Sequence, residues 1–253
     1  EFRRVLFRSC LEPRRVALGL LASAGPRALA HPGAAATLAA FDEGERSLLL
    51  QLLDQRLHCP LSSSLGRLFD AVASLLGVCQ RLSHEGEAGQ RLQGLAARVP
   101  DDLAGCLWPF PLIPPTSAAP GTPPAWIDWQ PALDVLLAER AARVPVGLSA
   151  ARFHLGLAEG LAALLADAAH TRGCRSVVLA GGCFQNALLL EALIRRLRRS
   201  GLEPHWAAAV PPNDGGLALG QLEAVRRASR RAFSTSLFSR SLSVDLSGAP
   251  RLR

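Results

Sequence analysis

The sequence predicts an α/β, helix-rich protein, and three observations carry that prediction. Apolar residues recur at helical spacing through most of the chain. Two short runs, 176–180 (SVVLA) and 203–208, break that period in the second half and read as strands. Each is followed by a glycine-bearing loop and then a helical segment. The order strand–loop–helix–strand–loop–helix implies a parallel sheet with helices against it.

The elements follow in order. Glu12-Pro13 opens a helix over 11–24, with proline in the first turn where no N–H is needed. A short helix is predicted over 48–57, then a loop over 58–64. Residues 65–76 form an amphipathic helix with Leu68, Phe69, Val72, Leu75 and Leu76 on one face, stopped by Gly77. Ser83-His84-Glu85-Gly86-Glu87 leads a helix over 83–98. The Pro-rich stretch 109–131 reads as a linker or a long ordered loop, with short strands around Trp126 and Trp129. Helices are expected over 132–143, 150–171, 185–199 and 217–227, with a loop over 210–216. The expected organisation is an artefact-like or disordered stretch (1–9), a mostly helical part of a first lobe (10–108) and the linker or loop (109–131). A second α/β lobe (132–229) and a disordered Ser/Arg-rich tail (230–253) complete it.

Composition narrows the function classes. The 253 residues are 49% hydrophobic, enough for one substantial core or two small ones. The chain has no Met and starts at Glu1, so it is expected to be a fragment or a processed product. All 28 basic residues are Arg, and the net charge of +7 sits at the ends. Residues 1–15 hold five Arg against two acids, and 226–253 hold seven against Asp245. The body between carries 16 Arg and 18 acids, so its folded part has no basic excess for nucleic acid. The six cysteines form no CxxC pair, which predicts free thiols in a reducing compartment. No signal peptide is read. The longest apolar stretch, 155–166, is too short and too interrupted by Gly and Glu to span a bilayer, so no membrane partner is expected.

Three segments carry chemistry. In VVLAGGCFQN (177–186), a strand delivers Gly181 and Gly182 to a helix start. Glycines let the backbone approach a phosphate, the free N–H groups of a helix start favour an anion, and Asn186 is placed to bond a phosphate or ribose. The alternative is an ordinary strand–helix turn. In PPNDGG (211–216), Asp214 stands at a helix start, either to ligate a metal or orient a substrate, or simply to cap the helix. Both loops follow consecutive strands and so share one sheet edge, where open α/β sheets bind ligands. In the third segment, Asp70 lies inside a helix, where Asp has poor propensity. It is either a solvated residue paired with Arg67 or part of a site with the Glu85-Gly86 turn.

The segments EPRRVALGLL, SSSLGRLFDAVASLLG, SHEGEAGQRLQGLA, ARFHLGLAEGLA, VVLAGGCFQNALLLEALIRRL and VPPNDGGLALGQ occur in this order over about residues 10–226. Together they resemble the C-terminal region of HypF-type carbamoyltransferases of [NiFe]-hydrogenase maturation. The resemblance is more distant to the tRNA threonylcarbamoyl transferase TsaD and the antibiotic carbamoyltransferase TobZ. It implies a partial actin/Hsp70-like, ribonuclease-H-like fold and a cytoplasmic enzyme. That enzyme makes carbamoyl adenylate from carbamoyl phosphate and ATP, then passes the carbamoyl group to the C-terminal Cys of a HypE-type acceptor.

By motif match, Asp70 and Gly86 would lie at the nucleotide's sugar, and Gly181, Gly182 and Asn186 at its phosphates or ribose. Asp214 would ligate a divalent metal, zinc or iron. The sequence departs from the pattern in several places. The six histidines, among them His31, His58, His170 and His205, are too far apart to supply the family's HHHAH-type ligand pair, and the family's upstream glycine-rich phosphate loop is missing. His84 stands where Tyr is usual, and Cys183 where Val is usual. His154 reads as packing at a helix start rather than ligating. The resemblance therefore implies a fragment that is inactive alone. The readings from other classes are a tRNA or small-molecule carbamoyltransferase and a non-catalytic binding module.

Overall fold

The structure, a computed structural model, describes residues 1–3, 5, 8–99, 105–117 and 124–240, with side chains up to 229. The chain forms two compact units, Glu1–Trp206 and Ala207–Arg253. The first unit opens with β1 (Phe2–Arg3), α1 (Pro13–Ala24), the one-turn helices α2 (Pro26–Leu29) and α3 (Ala35–Leu38), and α4 (Glu43–Asp54). β2 (Leu61–Ser62), α5 (Leu65–Leu75), α6 (Glu87–Ala96), β3 (Leu112–Ile113) and β4 (Trp126–Ile127) follow. The unit ends with α7 (Gln130–Ala141), α8 (Val146–Thr171), β5 (Ser176–Leu179), α9 (Ala187–Arg199) and β6 (Glu203–Trp206). The second unit contains a 3-10 turn, Asp214–Gly216, and α10 (Leu217–Arg240). The architecture is α/β and helix-rich, as the sequence predicts, and β5 pairs with β6 in parallel, Val177 opposite Pro204 and Leu179 opposite Trp206.

Segments from both sides of the Pro-rich stretch contribute to one hydrophobic core. Leu20 and Leu21 of α1, Val72 and Leu75 of α5, Leu136 of α7, Phe153 and Leu157 of α8 and Leu193 of α9 belong to one hydrophobic core. α8 packs on both α6 and α9, so the segments before and after the Pro-rich stretch close over the same apolar interior. Within that stretch Phe110 and Trp129 are buried, and Leu112 and Ile113 pair with Ile127 and Trp126. Its described residues form a strap packed on the core.

The N-terminus also differs from expectation. β1 pairs antiparallel with β2, Phe2 opposite Ser62, where a loop was predicted. Phe2, Val5 and Ser9 are buried, and the Phe2 ring meets Trp129 edge-on at 6.1 Å. Composition misleads here because the few apolar side chains find a groove that no local pattern announces. α4 starts five residues before the predicted 48: the Asp42 carboxylate accepts from Glu45 N at 2.7 Å and caps it. At the other end, α10 continues to Arg240, through the first part of the stretch expected to be disordered. Residues 241–253 lie outside the described residues.

A second, smaller core of Val5, Leu18, Phe41, Leu49, Leu53 and Cys59 lies between α1 and α4. An ion network built on the EPRR segment flanks it. Buried Arg14 and half-buried Arg15 both reach Glu12, at 2.9 and 2.8 Å, and Glu45 of α4, at 3.2 and 2.5 Å. The Arg14 guanidinium also stacks on Phe41 and bonds the Ala40 carbonyl. Burial alone would raise the Glu12 carboxyl, but hydrogen bonds from Arg15 and Arg14 hold it below its ordinary value.

α8 is the spine. At 26 residues it exceeds the predicted 150–171 helix and is long and apolar enough to cross a bilayer by length and composition. Here Ala150, Phe153, Leu157 and Ala158 are fully buried within the protein. The strap lies directly on it at two glycines one turn apart. A Cβ at Gly156 would stand 2.1 Å from the Trp108 carbonyl oxygen, and one at Gly160 would stand 2.6 Å from Phe110 Cβ. Neither position tolerates a side chain without moving main chain. We expect Gly156→Ala to destabilise the protein by about 3 kcal/mol, at the upper end of overpacking costs. Gly94→Ala, with nothing within 4 Å of its Cβ, should gain about 0.5–1 kcal/mol from helix propensity. Urea unfolding midpoints of the two variants check the contrast.

Candidate functional site

The predicted residues of the first unit converge at the N-terminal end of α5. Ser64 caps that helix, its hydroxyl accepting from Arg67 N at 3.4 Å. One turn in, Asp70 is buried on the face that meets the core. Arg67 Nη1 donates to Asp70 Oδ2 at 2.7 Å and to the Ser9 carbonyl at 3.2 Å, while Nη2 reaches Glu85 Oε1 at 3.2 Å. Glu85 leads directly into Gly86, which caps α6 in the left-handed region at φ 85°. α6 therefore starts at Glu87, not at 83 as predicted. Glu87 turns back to accept from Ser83 N at 2.6 Å and from the Ser83 hydroxyl at 2.9 Å. These bonds, with Arg91 at 2.5 Å, hold its carboxyl down to about 2.

The glycine turn arrives from the other side. β5 ends at Leu179, and Gly181 adopts φ 111°, a conformation that favours glycine. Gly182 then opens the 3-10 turn Gly182–Gln185. This turn packs against α5: a Cβ on Gly66 would come within 3.9 Å of the Cys183 sulfur. Burial pushes the Cys183 thiol up, the Asp70 carboxylate adds to the push, and Arg67 opposes it. Asp70, Gly86, Gly181 and Gly182 thus belong to one neighbourhood bounded by α5, the start of α6 and the turn.

Asn186 is buried and bonded through both of its polar atoms. Its Oδ1 accepts from Leu189 N at 3.1 Å, capping α9, and its Nδ2 donates to His154 Nε2 at 2.9 Å. His154 Nδ1 in turn donates to the Ala150 carbonyl at 2.7 Å. One ring nitrogen donates and the other accepts, so the ring is neutral. Burial drives the His154 pKa down to about 4, against the opposing bond to Ala150. His154 lies well inside α8 rather than at a helix start, because α8 begins earlier than predicted. The sequence signal for this arrangement was the Asn186-x-x-Leu189 cap in front of an amphipathic helix, an N-terminus signature at a residue read for ligand contact.

Asp214 belongs to the second unit. Asn213, not Asp214, supplies the cap: its Oδ1 accepts from Gly215 N at 3.1 Å. The exposed Asp214 carboxylate lies in the first turn of that 3-10 segment. Among the described residues no group of three or more His, Cys, Asp or Glu side chains is arranged to hold a metal ion. A single exposed carboxylate does not bind a divalent ion alone, so no chemical step is assigned to a metal within this chain.

Two buried titrations oppose each other. Burial lifts the Asp70 carboxyl to about 6, with Glu85 adding to the lift and Arg67 opposing it. The folded state holds that proton where the unfolded state, titrating near 3.8, has lost it, so stability falls as pH rises from 3.8 to about 6. His154 has the reverse sign: its contribution is present above 6.5 and is lost as pH falls toward about 4. Each is worth roughly 3 kcal/mol at about 1.4 kcal/mol per pKa unit. We expect His154→Gln to lose less stability than the parent between about pH 7 and about pH 4.5, and Asp70→Asn to lose more. Urea unfolding at the two pH values measures both.

Comparison with known proteins identifies the family and the fold. Residues 8–221 match the family profile described as carbamoyltransferase, Kae1-like domain, second subdomain. The carbamoyltransferase HypF2 of Cupriavidus necator is 39% identical over 228 residues, covering 78% of this chain and 28% of that protein. The carbamoyltransferase HypF of Rhizobium leguminosarum bv. viciae is 38% identical over 221 residues, covering 85% of this chain and 25% of that protein. The chain thus spans about a quarter of the length of these curated relatives. A solved structure of full-length HypF in the phosphate- and nucleotide-bound form superposes with a TM-score of 0.74 at 26% identity, over 87% of this chain and 27% of that one. HypF of T. kodakarensis shares the fold, with a TM-score of 0.69 at 22% identity, over 87% of this chain and 28% of that one. The helix-rich α/β unit with its GGCFQN turn is a Kae1-like carbamoyltransferase fold, and the chain belongs to the HypF carbamoyltransferase family.

Proposed function

We propose that this chain supplies the ribose- and phosphate-facing part of a HypF-type carbamoyltransferase site. The observation that carries the reading is the convergence of Asp70, Gly86 and the 181–186 turn at one end of α5. An ionised carboxylate accepts from ribose hydroxyls, and a glycine turn leading into a helix presents N–H groups to phosphate. Support comes from the family match and from the related HypF structure, which holds phosphate and nucleotide.

In this reading carbamoyl phosphate is hydrolysed to carbamate and phosphate, and carbamate attacks the α-phosphorus of ATP, giving carbamoyl adenylate and releasing pyrophosphate. The C-terminal Cys thiol of a HypE-type acceptor in the cytoplasm then takes the carbamoyl group, losing its proton and releasing AMP. Asp214 contributes one ligand to a divalent zinc or iron ion whose remaining ligands come from outside this chain. The chain's own part is to bind and orient the nucleotide.

A ligand present at ten times its Kd stabilises the native state by about 1.4 kcal/mol. Millimolar ATP should therefore raise the melting temperature of this chain slightly, and Asp70→Ala should abolish the rise. A parent chain indifferent to ATP would sink the reading. With a single metal ligand among the described residues, the 253-residue chain should transfer no carbamoyl group to HypE by itself. In a longer HypF chain that contains it, Asp214→Ala should abolish transfer, scored as carbamoylation of the acceptor thiol by mass spectrometry.

A further inference from the structure

We propose that Arg67 is a positioning residue of this nucleotide site: it fixes the Asp70 carboxylate for a ribose hydroxyl and ties it to the Gly86 turn. The inference rests on the nucleotide reading above and extends it to a residue that the motif match did not assign.

The geometry is that of a fork with three prongs engaged. The Arg67 side chain is 12% exposed and the Asp70 side chain 7%, so their ion pair is shielded from water. One guanidinium nitrogen bonds Asp70 Oδ2 and the Ser9 carbonyl, and another reaches Glu85, the residue before Gly86. A single rigid plane thereby sets the spacing between the two residues placed at the sugar. Asp70 Oδ2 is taken, and Oδ1 has no hydrogen-bond partner among the described residues. That oxygen is the one available to a ligand hydroxyl.

Arg67 also governs the charge of the acceptor. The groups facing Asp70 are Arg67 on its own helix, Glu85 from the approach to α6, the Cys183 thiol from the glycine turn and the Cys79 thiol beyond the end of α5. Burial pushes both thiols up, Cys79 to about 11, so they are neutral near pH 7. Glu85 disfavours the carboxylate, and its side chain is 87% exposed and screened by solvent. Arg67 is therefore the cation among these groups that keeps a buried Asp70 ionised near neutrality. Without it Asp70 would carry a proton and lose part of its capacity to accept.

The test follows the Asp70 carboxyl directly by carbon-13 NMR titration of the chain labelled at Asp. Arg67→Gln should move the Asp70 midpoint up by about one pH unit or more, and Arg67→Lys, which keeps the charge, should return it close to the parent value. Glu85→Gln, a change at an exposed side chain, should move it down. An unchanged midpoint in Arg67→Gln would overturn the electrostatic link. ATP affinity is read in parallel at about pH 6 and about pH 8, with a roughly tenfold loss for Arg67→Gln expected at the lower pH and a smaller one at the higher. Equal losses at both values would mean a purely structural arginine and would refute the proposal. A parent chain that binds no ATP overturns the nucleotide reading and the ribose role with it, whereas the carboxyl titration judges the Arg67–Asp70 link by itself.

Discussion

One neutral histidine holds the glycine turn to the rest of the protein. His154 sits in the middle of the longest buried helix, gives its Nδ1 proton to the Ala150 carbonyl and offers Nε2 to Asn186. Asn186 spends its other polar atom on the first turn of α9. A chain of three bonds thus runs from the core helix to the turn and on into the helix that follows. Every group in it is buried, so each bond is costly to break. Phe69 of α5 packs edge-on to both Phe153 and His154, at 4.9 and 5.3 Å, which brings the helix carrying Asp70 into the same cluster. The placement of Asp70 relative to the turn therefore depends on how well this aromatic–histidine cluster is packed.

The family's motifs in this chain differ in what they are built from. Gly181 and Gly86 have backbone conformations that a side chain would strain, which suits a surface made of main chain. Asn186 and His154 are instead joined to each other by a buried hydrogen bond between side chains. The EPRR segment is likewise structural here: its two arginines tie α1 to α4 through Glu12 and Glu45.

The helical pattern was legible because each helix carries its own period and punctuation. Ser64, Gly77 and Pro13 mark ends that the structure keeps within a residue or two. The β5–α9–β6 unit was legible for the same reason. The N-terminal strand was not, because two residues of pairing leave no periodicity, and Phe2 pairs opposite Ser62 and meets Trp129, both distant in sequence. The single core was hidden by the prolines of the strap, whose composition matches a linker while Phe110 and Trp129 anchor it. Around Asp70, the pairing with Arg67 was legible from the i, i+3 spacing on one helix. The hydrogen bond joining Asn186 to His154 spans 32 positions and could not be read from either motif alone.

The groove on α8 has a consequence for how the protein can change. Gly156 meets the Trp108 carbonyl oxygen and nitrogen, and Gly160 meets the Phe110 carbonyl oxygen as well as its Cβ. The fit is largely between missing side chains on the helix and main-chain atoms on the strap. Freedom to vary is therefore unequal on the two sides. Exposed strap positions can exchange residues while the backbone keeps the same path, but the helix has no alternative to glycine at either position and the strap keeps its buried Trp108 and Phe110. Drift in this protein is steered toward the exposed positions of the strap, and the helix keeps a fixed imprint of its neighbour's main chain.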